Sequence, residues 1–440
     1  MFVPFQKIKS GIKLKTDQYV EIIAIIDGLA GTSFRAVTLF CAGVAYGFLG
    51  ALSFTFSLLL LTFNFYYFMP AQSSTKLRIL KILLHAGFFA SGIATVLIGQ
   101  VLPILSAKFS LNDEQTGNFF PAQFAGSLMG TLLTNWFGKR NRFLLATLIG
   151  CFLMAAGVLM LNLNSLELCL FGFFINGIGI GLTLPSINML ILELNPTRTV
   201  SALSILNFFW GFGAILSQPF VDLFSRGTNI LNPTLILSVS LLTLGTGLAL
   251  MPKDIEQKPV SSETDTIDFA VPIWTNPLAW AIAAFNFIHV GFESAMGGWL
   301  KTYTGRIEGT EAPLLFPPIF LYFVFFVAGR GVAPVFFLFL SKNKMLFLNL
   351  LLILGGVIIL LFARDVLTLS IGASIAGFGT SSIFPTNLSR FTGFFGPSAS
   401  RRATPFFICG TLGAASTTWI IGYVSYHSNS LHTGMFLLFF

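Results

Sequence analysis

INGIGIGLTLPS (175–186) and IAGFGTSSIFPT (375–386) decide the reading of this chain. Gly177, Gly179 and Pro185 in the first stretch recur as Gly377, Gly379 and Pro385 in the second, at an offset of 200 residues. Working outward, FASGIATVLIGQ (89–100) matches IHVGFESAMGGW (288–299) through Gly92 and Gly99 against Gly291 and Gly298. WGFGA (210–214) matches GTLGA (410–414) through Gly213-Ala214 and Gly413-Ala414. Small residues commonly let membrane helices approach closely, so one such pair carries little. Several in register point to two homologous halves with a path between them, the plan of a transporter.

Composition sets the class. The 440 residues are 55% hydrophobic and 10% charged, with 51 Phe and a mean hydropathy of +0.83. A soluble domain carries about 25% charged residues. The net charge of +8 would suggest nucleic acid in a soluble protein, but basic cytoplasmic loops account for it here, and no nucleic-acid partner is expected. Cys41, Cys151, Cys169 and Cys409 lie in apolar segments without metal-ligand spacing and read as small buried hydrophobes. Neither a metal nor any other cofactor is expected.

An all-α multi-pass membrane protein follows from the apolar runs. Each is about 20 residues long, enough to cross a hydrocarbon core of about 30 Å. From residue 79 they fall at 79–105, 117–137, 143–162, 166–190, 199–222, 230–251, 277–301, 314–340, 345–363, 366–388 and 403–425, with a stub from 431. The polar stretch 252–276 reads as a linker between an N-terminal six-helix half, 69–251, and a C-terminal half, 277–440. Fourteen Lys and Arg fall on the linker's side, against five on the alternate loops (Lys108, Arg226, Lys301, Arg306 and Arg364). That bias places the linker in the cytoplasm and the spans in the cytoplasmic membrane.

Both ends depart from the pattern. Residues 34–68 form an extra apolar stretch that upsets the parity of crossings. A natural start at Met69 explains this, with residues 1–68 an over-extended reading frame or an accessory anchor. LHTGMFLLFF (431–440) is too short for a last span of about 20 residues, which reads as truncated.

GTLLTNWFGKRNR (130–142) resembles the cytoplasmic signature of the major facilitator superfamily, and the resemblance covers residues 76–440. Gly138, Lys139, Arg140 and Arg142 match its glycine and basic cluster. Asn135 stands where the superfamily has an acid, and the leading glycine is either Gly130, displaced by one position, or absent. The resemblance implies a 6+6 helix bundle with two pseudo-symmetric halves. It also implies that the basic residues gate the cytoplasmic side through charge-assisted hydrogen bonds. GFESAMGGWLKTY (291–303), VAGRGVAP (327–334) and GFGTSSIFPTN (377–387) resemble the fucose-permease and glucose-transporter branch. That branch moves monosaccharides, often coupled to protons or sodium. Its symporters carry carboxylates in the first and fourth spans. Here 79–105 has none, and Glu167 and Glu193 lie only at the ends of the fourth.

Ionisable groups within a bilayer are functional candidates by default. Asn286, His289 and Glu293 lie at i, i+3 and i+7 on one face of the seventh span, with Gly297 beyond them. A carboxylate there can accept paired sugar hydroxyls or exchange a proton, and an imidazole can assist. Packing between helices is the plain alternative for both groups. Arg330 in the eighth span reads as a gating or structural residue. Asn207 and Trp210 in SILNFFWGFG (204–213) suit a sugar's hydroxyl rim and apolar face. Asn176 and Gln123 follow on the same argument, with Gln100 and Trp419 behind them. Pro185 and Pro385 are expected to create matched bending points.

The expectation is a secondary active transporter of a small polar solute, most simply a monosaccharide, that works as a monomer in the lipid bilayer. Proton or sodium coupling accompanies it. Efflux of amphipathic compounds is the alternative on the same fold. An enzyme is disfavoured because acids within the spans are scattered singly. A channel is disfavoured because no filter motif is visible.

Overall fold

The computed structural model describes residues 75–195, 199–251, 273–307, 317–395 and 403–439. The extra segment 1–68 and most of the linker, 252–272, lie outside the described residues. Among the described residues, six long helices come before the linker: α1 (Thr75–Phe109), α3 (Phe119–Gly138), α4 (Phe143–Met160), α5 (Leu166–Glu193), α6 (Thr199–Phe224) and α7 (Leu231–Ala249). A short α2 (Asp113–Gly117) joins the first two. After it come α8 (Pro277–Thr304), α9 (Pro318–Phe339), α10 (Lys342–Phe362), α11 (Val366–Thr380), α12 (Ile383–Phe395) and α13 (Thr404–His427). The segment from 431 forms α14 (Leu431–Met435) and a 3-10 turn, Phe436–Phe439. No strand occurs among the described residues. Among the described residues, eight segments are long and apolar enough, by length and composition, to cross a membrane.

Local chemistry starts these helices where the sequence supplies a cap. Ser165 accepts from Leu168 N, Ser341 from Lys344 N and Asp365 from Thr368 N, while Asn276 caps α8 with Pro277 at its first position.

The repeat is a repeat of packing. In the first half α1 packs on α6, α3 on α5 and α4 on α5; in the second, α8 packs on α13, α9 on α11 and α10 on α11. The halves meet through α1 against α8, α3 against α13 and α6 against α9. Most of the sequence-matched glycines sit at the matched crossings, Gly99 (against Gly297 of α8) and Gly298 (against Phe120 of α3) being the exception. Gly177 lies on the Gln123 carbonyl of α3, and Gly377 on the Tyr322 carbonyl of α9. A Cβ at Gly179 would come 2.7 Å from the Gly150 carbonyl of α4, and one at Gly379 would come 2.8 Å from the Asn349 carbonyl of α10. Gly213 rests on Phe89 and Gly413 on Phe287 in the same way. Without a lipid-to-core hydrophobic gradient, such close backbone approach supplies the packing that holds membrane helices together.

One expected span differs. The run 366–388 reads as a single helix but is broken at Ser381 and Ser382 between α11 and α12. Pro385 has no N–H to give the Ser381 carbonyl. The Ser381 hydroxyl also donates to the Phe378 carbonyl at 2.6 Å, and its backbone N–H turns to the same oxygen at 3.3 Å. Local side-chain bonding of this kind competes with the helix. At the matching Pro185 the helix α5 runs on unbroken, and its freed Gly181 carbonyl accepts from Thr134 at 2.9 Å.

Candidate functional site

The candidate residues fall into separate groups. Glu293, sixteen residues into α8, keeps 21% of its side-chain surface exposed, whereas His289 one turn away keeps 3%. His289 Nε2 lies 3.6 Å from Glu293 Oε2, outside hydrogen-bonding reach, and finds no other partner among the described residues. No hydrogen bond to the Glu293 carboxylate occurs among the described residues either. A carboxylate at that depth with open surface and no donor is a candidate functional group.

Arg330 supplies the compensating charge. From α9 its guanidinium acts electrostatically on both Glu293 and His289. Its Nε donates to the Ser381 carbonyl at 3.1 Å, and its ring-facing side lies 4.0 Å from the Phe326 centroid, a cation–π contact. The chemistry available here is recognition of hydroxyl groups by a carboxylate, or exchange of the carboxylate's charge state beside a fixed cation.

Asn286 shares the face of His289 and Glu293 but is committed elsewhere. Its amide donates to the Phe406 carbonyl of α13 at 3.0 Å, and only Oδ1 is left without a partner among the described residues. In the first half, Gln123 donates to the Thr95 carbonyl at 3.0 Å, and Asn176 donates to the Gln123 side chain and to the Ala94 carbonyl, both at 3.3 Å. Asn176 Oδ1 and the Trp210 indole N–H are buried without a partner among the described residues. Asn207 is exposed and returns its amide to Leu203 O at 2.8 Å. Trp299 is fully buried and bonds the Thr418 carbonyl at 2.9 Å, so it is core and not an interface anchor.

Gly138, Lys139, Arg140 and Arg142 form the turn after α3. The three basic side chains are exposed, and none bonds the other half among the described residues. Arg140 instead stacks 3.8 Å over the Trp136 ring.

The opposite end of the bundle carries a latch that reading one sequence did not find. Arg306, just past α8, grips Asp113 of α2 with both guanidinium nitrogens, at 2.7 and 2.5 Å, and Ser425 of α13 donates to the same carboxylate. Lys301 of α8 bonds Asp222 of α6 at 2.7 Å and the Gln100 carbonyl of α1 at 3.0 Å. Trp419 of α13 donates to Asn118 at 2.9 Å. Every one of these bonds joins one half to the other. Burial alone would raise the Asp113 carboxyl, but the hydrogen bonds from Arg306 and Ser425 and the Arg306 charge outweigh it and hold it below the ordinary value. Bonding to Asp113 raises Arg306 in turn. The available signal was weak: cations and acids both occur on loops where the charge bias leaves few cations.

Known proteins resemble the whole arrangement. A mouse protein, sodium-dependent glucose transporter 1A, is 23% identical over 387 residues, covering 78% of this chain and 89% of its own. The nucleoside transporter NupG superposes with a TM-score of 0.64 at 15% identity, over 83% of this chain and 96% of its own. The E. coli fucose:proton symporter FucP does so with a TM-score of 0.56 at 20% identity, over 83% and 95%. The pattern of the Major Facilitator Superfamily matches residues 84–418. With its repeated packing, its matched glycine crossings and its seam between halves, the chain belongs to the Major Facilitator Superfamily of secondary transporters.

Proposed function

We propose that this transporter moves a monosaccharide across the cytoplasmic membrane by alternating access, with Glu293 as the ligand for the sugar or for a coupling proton or sodium ion. The observation that carries the reading is the open, donor-free Glu293 carboxylate at mid-span, within the field of Arg330 and beside His289. Buried polar atoms without partners at His289, Asn286, Asn176 and Trp210 add a demand for hydrogen bonds that a polyhydroxylated solute can meet. Two relatives named for glucose and for fucose support the substrate class. The moving units are 69–251 and 277–440, joined by the linker 252–276 on the cytoplasmic side. Under that orientation the latch of Asp113, Arg306, Asp222 and Lys301 closes the outer end. The turn with Gly138, Lys139, Arg140 and Arg142 gates the inner one, and Arg330 tunes the site from α9.

Counterflow of a radiolabelled monosaccharide panel in proteoliposomes, for wild type and Glu293→Gln, tests this. Saturable exchange of one sugar, lost at least about tenfold in the variant, is the expected result. Exchange that survives the substitution assigns Glu293 to coupling or to packing, which an imposed pH or sodium gradient then separates. Folded protein that exchanges no sugar ends the monosaccharide reading in favour of amphipathic efflux.

A further inference from the structure

A groove of about 430 Å³ opens on the lateral face of the first half, between α3, α4 and α5. Its walls are Leu132, Trp136 and Phe137 of α3 with Ile149 and Leu153 of α4, and buried Leu182 of α5 is its floor. Leu132 and Trp136 are half-exposed along its mouth. The volume far exceeds the roughly 30 Å³ share of a water molecule, and walls without charge would not hold water. Helices α4 and α5, which supply the other wall and the floor, are long and apolar enough to cross a membrane, and the apolar molecules that surround such helices are lipid chains.

What stands at the end of the groove narrows the kind of lipid. Helix α3 closes in a tight turn: Arg140 N and Arg142 N both bond the Phe137 carbonyl, and Asn141 takes a left-handed φ of 51°. The turn brings Lys139, Arg140 and Arg142 together in exposed positions beside the groove's Phe137. Arg140 is tethered to the groove itself, 3.8 Å over the ring of Trp136. Asn135 is exposed on the same last turn, where the superfamily's signature has an acid. No carboxylate lies within 4 Å of the three cations among the described residues. An apolar slot ending in an uncompensated triple cation is complementary to one molecule with an acyl chain and a negative headgroup.

We propose that this groove and turn form a site for a single anionic phospholipid. One acyl chain lies along Leu132, Trp136 and Leu153, and the phosphate rests on Lys139, Arg140 and Arg142. The site does not include Glu293, and it shares its three cations with the turn assigned to the inner gate. Anionic headgroups attract juxtamembrane Lys and Arg clusters, and the attraction is screened by salt.

Native mass spectrometry of the full chain, delipidated and given equimolar phosphatidylglycerol and phosphatidylcholine with identical acyl chains, tests it. The expected result is one retained phosphatidylglycerol, preferred at least about tenfold, with the preference falling as ionic strength rises. The triple variant Lys139→Gln, Arg140→Gln, Arg142→Gln brings the preference to about unity while phosphatidylcholine retention stays. Leu153→Trp fills the groove and lowers retention of both lipids in protein whose thermal unfolding is unchanged. Equal retention of the two lipids by wild type, or a preference that survives the triple variant, overturns the proposal. So does a dimer that Leu153→Trp dissociates, which would make the groove a subunit contact. Displacement of the lipid by millimolar inorganic phosphate alone overturns the acyl-chain half of the site.

Discussion

Arg330 donates its Nε proton to the carbonyl of Ser381, 3.1 Å away. That oxygen is the one Pro385 leaves without a helical donor, four residues upstream. The first half solves the same problem at the same place: Pro185 frees the Gly181 carbonyl, and Thr134 takes it at 2.9 Å. The two halves thus share a proline, an orphaned carbonyl and a side chain from the neighbouring helix. In the second half that side chain is charged and lies in the field of Glu293. A group that holds the α11–α12 break therefore also senses the candidate binding carboxylate.

Removing the guanidinium should cost about 1–3 kcal/mol, because it leaves a buried carbonyl unsatisfied. Arg330→Ala is expected to lower the unfolding free energy in mixed detergent by that amount. Pro385→Ala returns an N–H to position 385, so the Ser381 carbonyl regains a helical donor. In that background Arg330→Ala should cost less by about 1 kcal/mol, a coupling that a double-mutant cycle measures. Equal costs in both backgrounds would mean that Arg330 acts only through Phe326 or Glu293.

The latch at the far end should control opening there. Arg306 is nearly half exposed, so its bonds to Asp113 are discounted for solvent to about 1 kcal/mol. Arg306→Gln should then raise the population open at that end about fivefold. Gln100, fully buried with its carbonyl bonded by Lys301, reports on it. With the four native cysteines replaced, Gln100→Cys should react with a membrane-impermeant thiol reagent about fivefold faster when Arg306→Gln is added. An unchanged rate would show that the ion pair does not hold the halves.

The same latch predicts a flat pH response. In the closed state the bonds from Arg306 and Ser425 hold the Asp113 carboxyl below its ordinary value, and the bond to Asp113 holds Arg306 above its own. A depressed carboxyl contributes stability that is fully present above its ordinary value and is lost as pH falls through the depressed one. From about pH 5 to about pH 8 the latch therefore keeps full strength. Labelling of Gln100→Cys, normalised to an exposed reference thiol, should not change over that range, while Asp113→Asn raises it throughout. A rise in labelling on acidification towards about pH 5 would show that another group titrates in the latch.

What was legible in the sequence, and what was not, follows from where each partner lies. Gly177 and Gly377 were legible because a close helix crossing demands a residue without a side chain, and the demand recurs at fixed offset. His289 and Glu293 were legible because i and i+4 share a helix face. Asn286 shares it too, yet its amide is taken by the Phe406 carbonyl, a partner 120 residues away that no local period announces. The Asp113–Arg306 pair spans 193 residues for the same reason. The break at Ser381 was only half legible. Pro385 marks a bend in either half, but whether the helix parts depends on Ser381 bonding Phe378, where the first half has Gly181 and no hydroxyl.

The matched crossings make a last prediction about stability. A methyl at Gly177 would overlap the Gln123 carbonyl, and one at Gly377 the Tyr322 carbonyl; backbone cannot yield as a flexible side chain does. Gly177→Ala and Gly377→Ala should each cost about 1–3 kcal/mol, as overpacking does. Gly355, on α10, has nothing within 4 Å of the position its Cβ would take. There alanine adds only its better helix propensity, about 0.5–1 kcal/mol of stabilisation. Thermal unfolding of the three variants in one detergent separates the cases, since all three make the same chemical change. If Gly177→Ala and Gly377→Ala unfold at or above the wild-type temperature, as Gly355→Ala should, then the close crossings do not hold each half together and the repeat has another cause. If only one of the pair is harmful, the halves are alike in sequence but not in what stabilises them.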